Sequence, residues 1–248
     1  MNLGSPLALY ARWQLRDAVT KALIPVLIFT ALTAIPLWSM YRQFQADATR
    51  DPDAFALVAV QVYGQTLTLA MTLGALLLMS GLVSADREKQ HFRFLFSRPV
   101  APWMFYLQQF VISLTLFAAA FALISAAFGA IAAPVPVLAA VQSAAMYAFF
   151  LGSLALLCSV LVNKDGVLLV IVLMVSLTLQ QVQSSGVLPR WTSWLADALP
   201  PIVTADAVRA RWLAERAAES GDIALVLLYS LGMLGVALFL LRRAPLAR

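Results

Sequence analysis

Of the 248 residues, 62% are hydrophobic and 12% charged, against about 45–50% and about 25% in an ordinary soluble domain. This composition excludes a water-soluble globular domain and predicts an all-α integral membrane protein, since every backbone amide in a bilayer must be bonded within its own segment. The sole Cys158 excludes an internal disulfide, and the sole His91 leaves no His/Cys metal cluster.

Residues 5–21 form a polar lead. Ser5-Pro6 is a helix start, with serine as N-cap and proline at the first helical position. Leu9, Tyr10 and Trp13 recur at helical spacing beside Arg12 and Arg16, which suits a helix lying in the membrane interface; a short solvated lead is the plainer alternative. The long charged lead and the closing Trp38 and Tyr41 argue against a cleaved signal peptide.

A bilayer core about 30 Å thick takes about 20 helical residues, so the uncharged runs count as spans. The 20 residues between Lys21 and Arg42 make the first, at 22–41, and the 32 between Asp53 and Asp86 the second, at 56–84. Arg98 to Lys164 encloses 65 residues, enough for spans at 103–131 and 137–162, with the prolines of "APVPV" as the turn. Runs of 24 and 19 residues then place spans five and six at 166–185 and 223–241.

Six spans put both termini on one side. Placing the termini in the cytoplasm leaves 11 of 17 basic residues inside, a balance of +7 inside and −2 outside, as the retention of positive loops requires. The positive charge therefore reads as orientation and not as a nucleic-acid footprint.

The segment between spans two and three, 86–98, is the densest cluster of charge. As a helix it carries Phe92, Leu95 and Phe96 at i, i+3 and i+4, stopped by Arg98-Pro99, with Arg87, Lys89, Arg93 and Arg98 around them. An aromatic knob with a charged rim has the composition of a protein-docking surface. Aromatics dipping into the interface while the basic residues meet anionic lipid is the alternative.

Within the spans the polar residues are uncharged. Gln61, Gln65, Thr68 and Thr72 line one face of span two, with Ser176, Gln180 and Gln183 near the outer end of span five and Gln109 and Ser113 in span three. They read either as a translocation path or as hydrogen-bonding glue between helices. No His, Asp or Ser–His pair lies at membrane depth, and no G-x-x-x-x-G-K-[ST] motif occurs, so neither a catalytic residue nor a nucleotide site is expected in this chain.

The outer loop, 186–221, reads as two short helices broken at Pro200-Pro201, re-entrant, interfacial or simply connecting. Asp206 to Arg209 and Arg211 to Glu215 are spaced to pair, and Trp191, Trp194 and Trp212 suit the headgroup level.

"SADREKQHFRFLFSRPVAPWMFYLQQF" resembles the first cytoplasmic loop of ABC-2 type ABC exporter permeases, in which a charged run is followed by an aromatic or leucine-rich turn, a stop and the next span. The six-span layout, the lead and the outer loop are also similar. Gln90 departs from the glycine often found there, and Pro102-Trp103 from the usual small-polar or basic start of span three.

The resemblance implies that this chain is the transmembrane permease subunit of an ATP-driven exporter, with Asp86, Arg87, Glu88, Lys89, His91, Phe92, Arg93, Leu95, Phe96, Arg98 and Pro99 forming the coupling segment. It further implies two copies of a separate cytoplasmic ATPase carrying ATP and Mg, a second permease copy, and the bacterial cytoplasmic membrane. An ATP-independent carrier and a membrane scaffold are the rival classes.

Overall fold

The computed structural model describes residues 6–46, 52–80, 82–88, 101–162, 165–184, 194 and 198–243. Among them no strand occurs. The helices are α1 (Pro6–Ala46), α2 (Pro52–Met79), α3 (Ser84–Glu88), α4 (Pro102–Ile131), α5 (Val137–Leu161), α6 (Asp165–Ser184), α7 (Ile202–Leu213) and α8 (Ser220–Arg243). Six are long and apolar enough to cross a membrane: α1, α2, α4, α5, α6 and α8. The ends of α4, α5, α6 and α8 lie within about three residues of 103–131, 137–162, 166–185 and 223–241, at or near charges and prolines.

The first two spans differ from expectation. The lead and the first span are one continuous helix of 41 residues, with no break at 21–22. Pro25 and Pro36 lie inside it; each removes one helical hydrogen bond, a loss tolerated in membrane helices where neighbouring helices or hydroxyls satisfy the freed groups. The buried stripe runs Gln14, Ala18, Ala22, Pro25, Phe29, Thr33, and it continues the lead's inner face without interruption. Trp13 is half exposed, so Tyr10 and Gln14, and not Trp13, hold the lead to the bundle. Gln14 Nε2 donates to the Phe105 carbonyl at 3.2 Å, and the Tyr10 ring meets Phe105 edge-on.

The second span, Val58–Asp86, is interrupted before its charged end. α2 stops at Met79, and the chain turns through Leu82 and Val83 before α3 begins at Ser84. The acceptor at that turn lies on another helix: the Ser159 hydroxyl of α5 accepts the Val83 and Ser84 amides at 2.9 and 2.8 Å. A side chain distant in sequence thus supplies the acceptor that a helix start needs.

At the centre is α5, which packs against α2, α4, α6, α7 and α8. Its buried positions are mostly small, including Ala140, Ala144, Ala148, Gly152 and Ala155, and small residues let helix backbones approach closely. A Cβ on Gly152 would fall 2.9 Å from Phe110 Cε2. On the other flank α1 and α2 meet where Gly74 faces Pro25, and a Cβ there would lie 2.5 Å from Pro25 Cβ. Tyr63 ties α2 to α4 by donating to Ser125 Oγ at 2.7 Å, and Ser125 donates onward to the Phe121 carbonyl.

Candidate functional site

The polar groups converge where α7 meets the bundle. The Pro200-Pro201 step ends the preceding chain and starts α7, whose Ile202, Ala205, Val208 and Arg209 are buried at helical spacing. That face packs on α5, α6 and α8.

Gln180 of α6 holds the start of α7 with both ends of its amide. Its Nε2 donates to the Pro200 carbonyl at 2.8 Å, and its Oε1 accepts the Val203 amide at 3.1 Å. The Val203 N–H is one of the amides that a helix start leaves without an intrahelical partner. One turn and a half along α7, Asp206 and Arg209 pair at 3.0 Å, as their i, i+3 spacing predicts.

This pair reaches well inside the bundle. The Tyr147 hydroxyl donates to the Asp206 carboxylate, and Arg209 donates to the Thr68 hydroxyl, which in turn donates to the Gly64 carbonyl. Tyr147 lies ten residues beyond the start of α5, about 15 Å along its axis at 1.5 Å per residue. The Arg209 guanidinium carbon sits 5.7 Å from the Tyr147 ring centroid, and only 8% of the residue is exposed. Its Nε is buried without an acceptor. Charge is therefore brought among the spans by α7, which a count of charges within spans misses.

The expected path residues divide into two groups. Thr68 and Gln180 are taken up in holding α7, the role of glue. Thr72 donates to the Thr68 carbonyl, and the buried Ser176 to that of Val172. Gln61 and Gln65 are exposed on α2 with no hydrogen-bond partner among the described residues, while Gln183 is half-buried on α6. In α4, Gln109 and Ser113 are buried, and Gln109 Oε1 has no partner.

The second pairing expected in the outer loop is not made. Arg211 bonds Glu219 at 2.9 Å and approaches Asp222 at 4.0 Å, while Glu215 lies past the end of α7 with φ 54°. The helix stops at Leu213, so the i, i+4 geometry that would bring Arg211 to Glu215 is lost. Trp194 is exposed and Trp212 half-buried; Trp191 and the first of the two expected short helices lie outside the described residues, apart from isolated positions.

Of the coupling segment, Asp86, Arg87 and Glu88 fall on α3. Asp86 is half-buried and accepts from the Tyr106 hydroxyl at 3.2 Å, and Glu88 is exposed. The side chain of Arg87, and Lys89, His91, Phe92, Arg93, Leu95, Phe96, Arg98 and Pro99 entirely, lie outside the described residues. Sequence reasoning passed over Tyr147, Ser159 and Tyr106, whose partners are 59, 75 or 76, and 20 residues away. The i, i+3 spacing of Asp206 and Arg209 was the one local signal of this site. The chain matches no family model and no curated protein.

Proposed function

We propose that this chain is the permease subunit of an ATP-driven exporter of the ABC-2 type, in which 86–98 docks a separate ATP-binding subunit. The observation that carries the reading is the root of that segment. Val83 and Ser84, just before it, are bonded to α5 through Ser159, its first residue Asp86 is bonded to α4 through Tyr106, and α4 is bonded to α1 through Gln14. A loop that must transmit force needs such an attachment, and a merely connecting loop does not.

At the opposite end α7 acts as a re-entrant plug. ATP binding on the partner draws the loops together, the motion passes through α2 and α5, and Thr68 and Tyr147 on those same helices shift the plug. The exposed Gln61 and Gln65 on α2 line the path between two copies of the chain. The membrane is the bacterial cytoplasmic one, with the termini inside, and ATP and Mg belong to the partner.

The test is purification with co-isolating subunits, followed by ATPase and transport assays in lipid. Phe92→Ala combined with Phe96→Ala should uncouple ATP hydrolysis from transport while the permease still inserts; undiminished ATPase binding and export would sink the docking assignment. A second reading, an ATP-independent carrier, is favoured by the Asp206–Arg209 pair among the spans, because carriers use charges there. Transport that persists without ATP or an ATPase would select it.

A further inference from the structure

Beside α7, on the same end of the bundle, a cleft of about 490 Å³ opens between the start of α5 and the end of α7. Its walls are residues 136–139 with Gln142 on one side, and Trp212, Glu215, Arg216 and Ala217 on the other. Gln142, Glu215 and Arg216 are exposed, and among the described residues the side chains of all three are without a hydrogen bond or ion pair. An acid and a base that share a cleft yet leave each other unpaired present separate sites for opposite charges.

Glu215 is the telling residue. The end of α7 is a Schellman turn: the Glu215 amide bonds the Trp212 carbonyl at 2.9 Å and the Arg216 amide the Arg211 carbonyl at 2.8 Å. Glu215 occupies the left-handed position of that turn, where glycine is usual, and is the one non-glycine residue with positive φ among those described. A side chain there strains the backbone, and such strain is retained where the side chain is used. Arg211, its nearest helical partner, is already bonded to Glu219, so the carboxylate is left for something else.

The surroundings say what. Leu138 in the cleft wall is 72% exposed and Ile131, at the end of the preceding helix, 86% exposed, which places the cleft where apolar surface gives way to polar groups. We infer that this cleft binds an ammonium–phosphate zwitterion, the headgroup chemistry of phosphatidylethanolamine. Glu215 accepts from the ammonium, Arg216 and the Gln142 amide donate to the phosphate, Trp212 stands beside the headgroup, and an acyl chain runs over Leu138.

The test is native mass spectrometry of the delipidated protein with added phosphatidylethanolamine or phosphatidylglycerol, and no part of it depends on transport or on an ATPase. The wild type should retain the ethanolamine lipid about tenfold better, the equivalent of one charge-assisted hydrogen bond. Glu215→Gly should abolish that preference while the melting temperature stays level or rises, since glycine suits the turn. Arg216→Gln should weaken retention of both lipids. Soluble phosphoethanolamine taken up saturably, and lost in Glu215→Gly, supports the same recognition with water as the source; retention of the diacyl lipid alone supports it with the bilayer as the source. Equal retention of the two lipids by the wild type, or unchanged preference in Glu215→Gly, overturns the proposal.

Discussion

Arg209 on α7 donates to the hydroxyl of Thr68 on α2, joining residues 141 positions apart in the chain. The same guanidinium pairs with Asp206, which accepts from Tyr147 on α5. Three helices thus meet on one buried cation.

Breaking that set from the acidic side should cost more than removing the cation with it. Asp206→Ala leaves Arg209 buried with hydroxyl partners only, a loss of about 3 kcal/mol, at the low end for a buried pair because the Asp206 side chain is 44% exposed. The double variant Asp206→Ala with Arg209→Met should unfold at a higher denaturant concentration than Asp206→Ala alone. Additive losses in detergent unfolding curves would show that the two residues are not coupled.

Two glutamines that looked equivalent should behave differently. Gln180→Leu removes both bonds at the start of α7 and should lower stability by about 2 kcal/mol. Hydrogen exchange in 202–213 should accelerate with it. Gln65→Leu, at an exposed position without a partner, should leave stability within about 0.5 kcal/mol and alter transport alone. Unchanged transport kinetics would remove Gln65 from the path.

Ser159→Ala takes away the one acceptor shared by the Val83 and Ser84 amides. A loss of about 2 kcal/mol is expected, with exchange at 83–88 rising most, since both amides are left buried without a partner. Protection that persists there would mean that α3 is held by Asp86 and Tyr106 instead.

Two glycines on α2 give opposite expectations. At Gly74 a methyl would collide with the Pro25 ring, so Gly74→Ala should destabilise by about 1–3 kcal/mol as α1 and α2 are pushed apart. At Gly64 nothing lies within 4 Å of an added Cβ. Gly64→Ala should therefore be neutral or stabilise by up to about 1 kcal/mol through helix propensity. Thermal unfolding of the two variants side by side checks the pair.

Much of the fold is legible along the chain because the bilayer imposes a one-dimensional rule. A helix must run for about 20 residues without charge, so Asp165 and Asp222 mark boundaries as plainly as Pro134 and Pro136 do. The rule fails where a helix end depends on a distant partner. Gly81, the kind of residue common just past a helix end, is a local sign that α2 stops at Met79, but the acceptor that takes over the following amides is the distant Ser159. It fails again between residues 21 and 22, where a change from polar to apolar surface is not a change of backbone.

Sequence by itself determined the helical class, the six apolar helices and the local pairing of Asp206 with Arg209, all of which follow from composition, span length and helical spacing. Only the tertiary structure decided what those polar residues meet. It divided Thr68 and Gln180, which hold α7, from Gln61 and Gln65, which face outward, and it left Glu215 beyond the end of its helix instead of beside Arg211. The reason is physical: a buried hydrogen bond requires an acceptor within about 3 Å in space, and helix packing, not sequence spacing, brings the acceptor there.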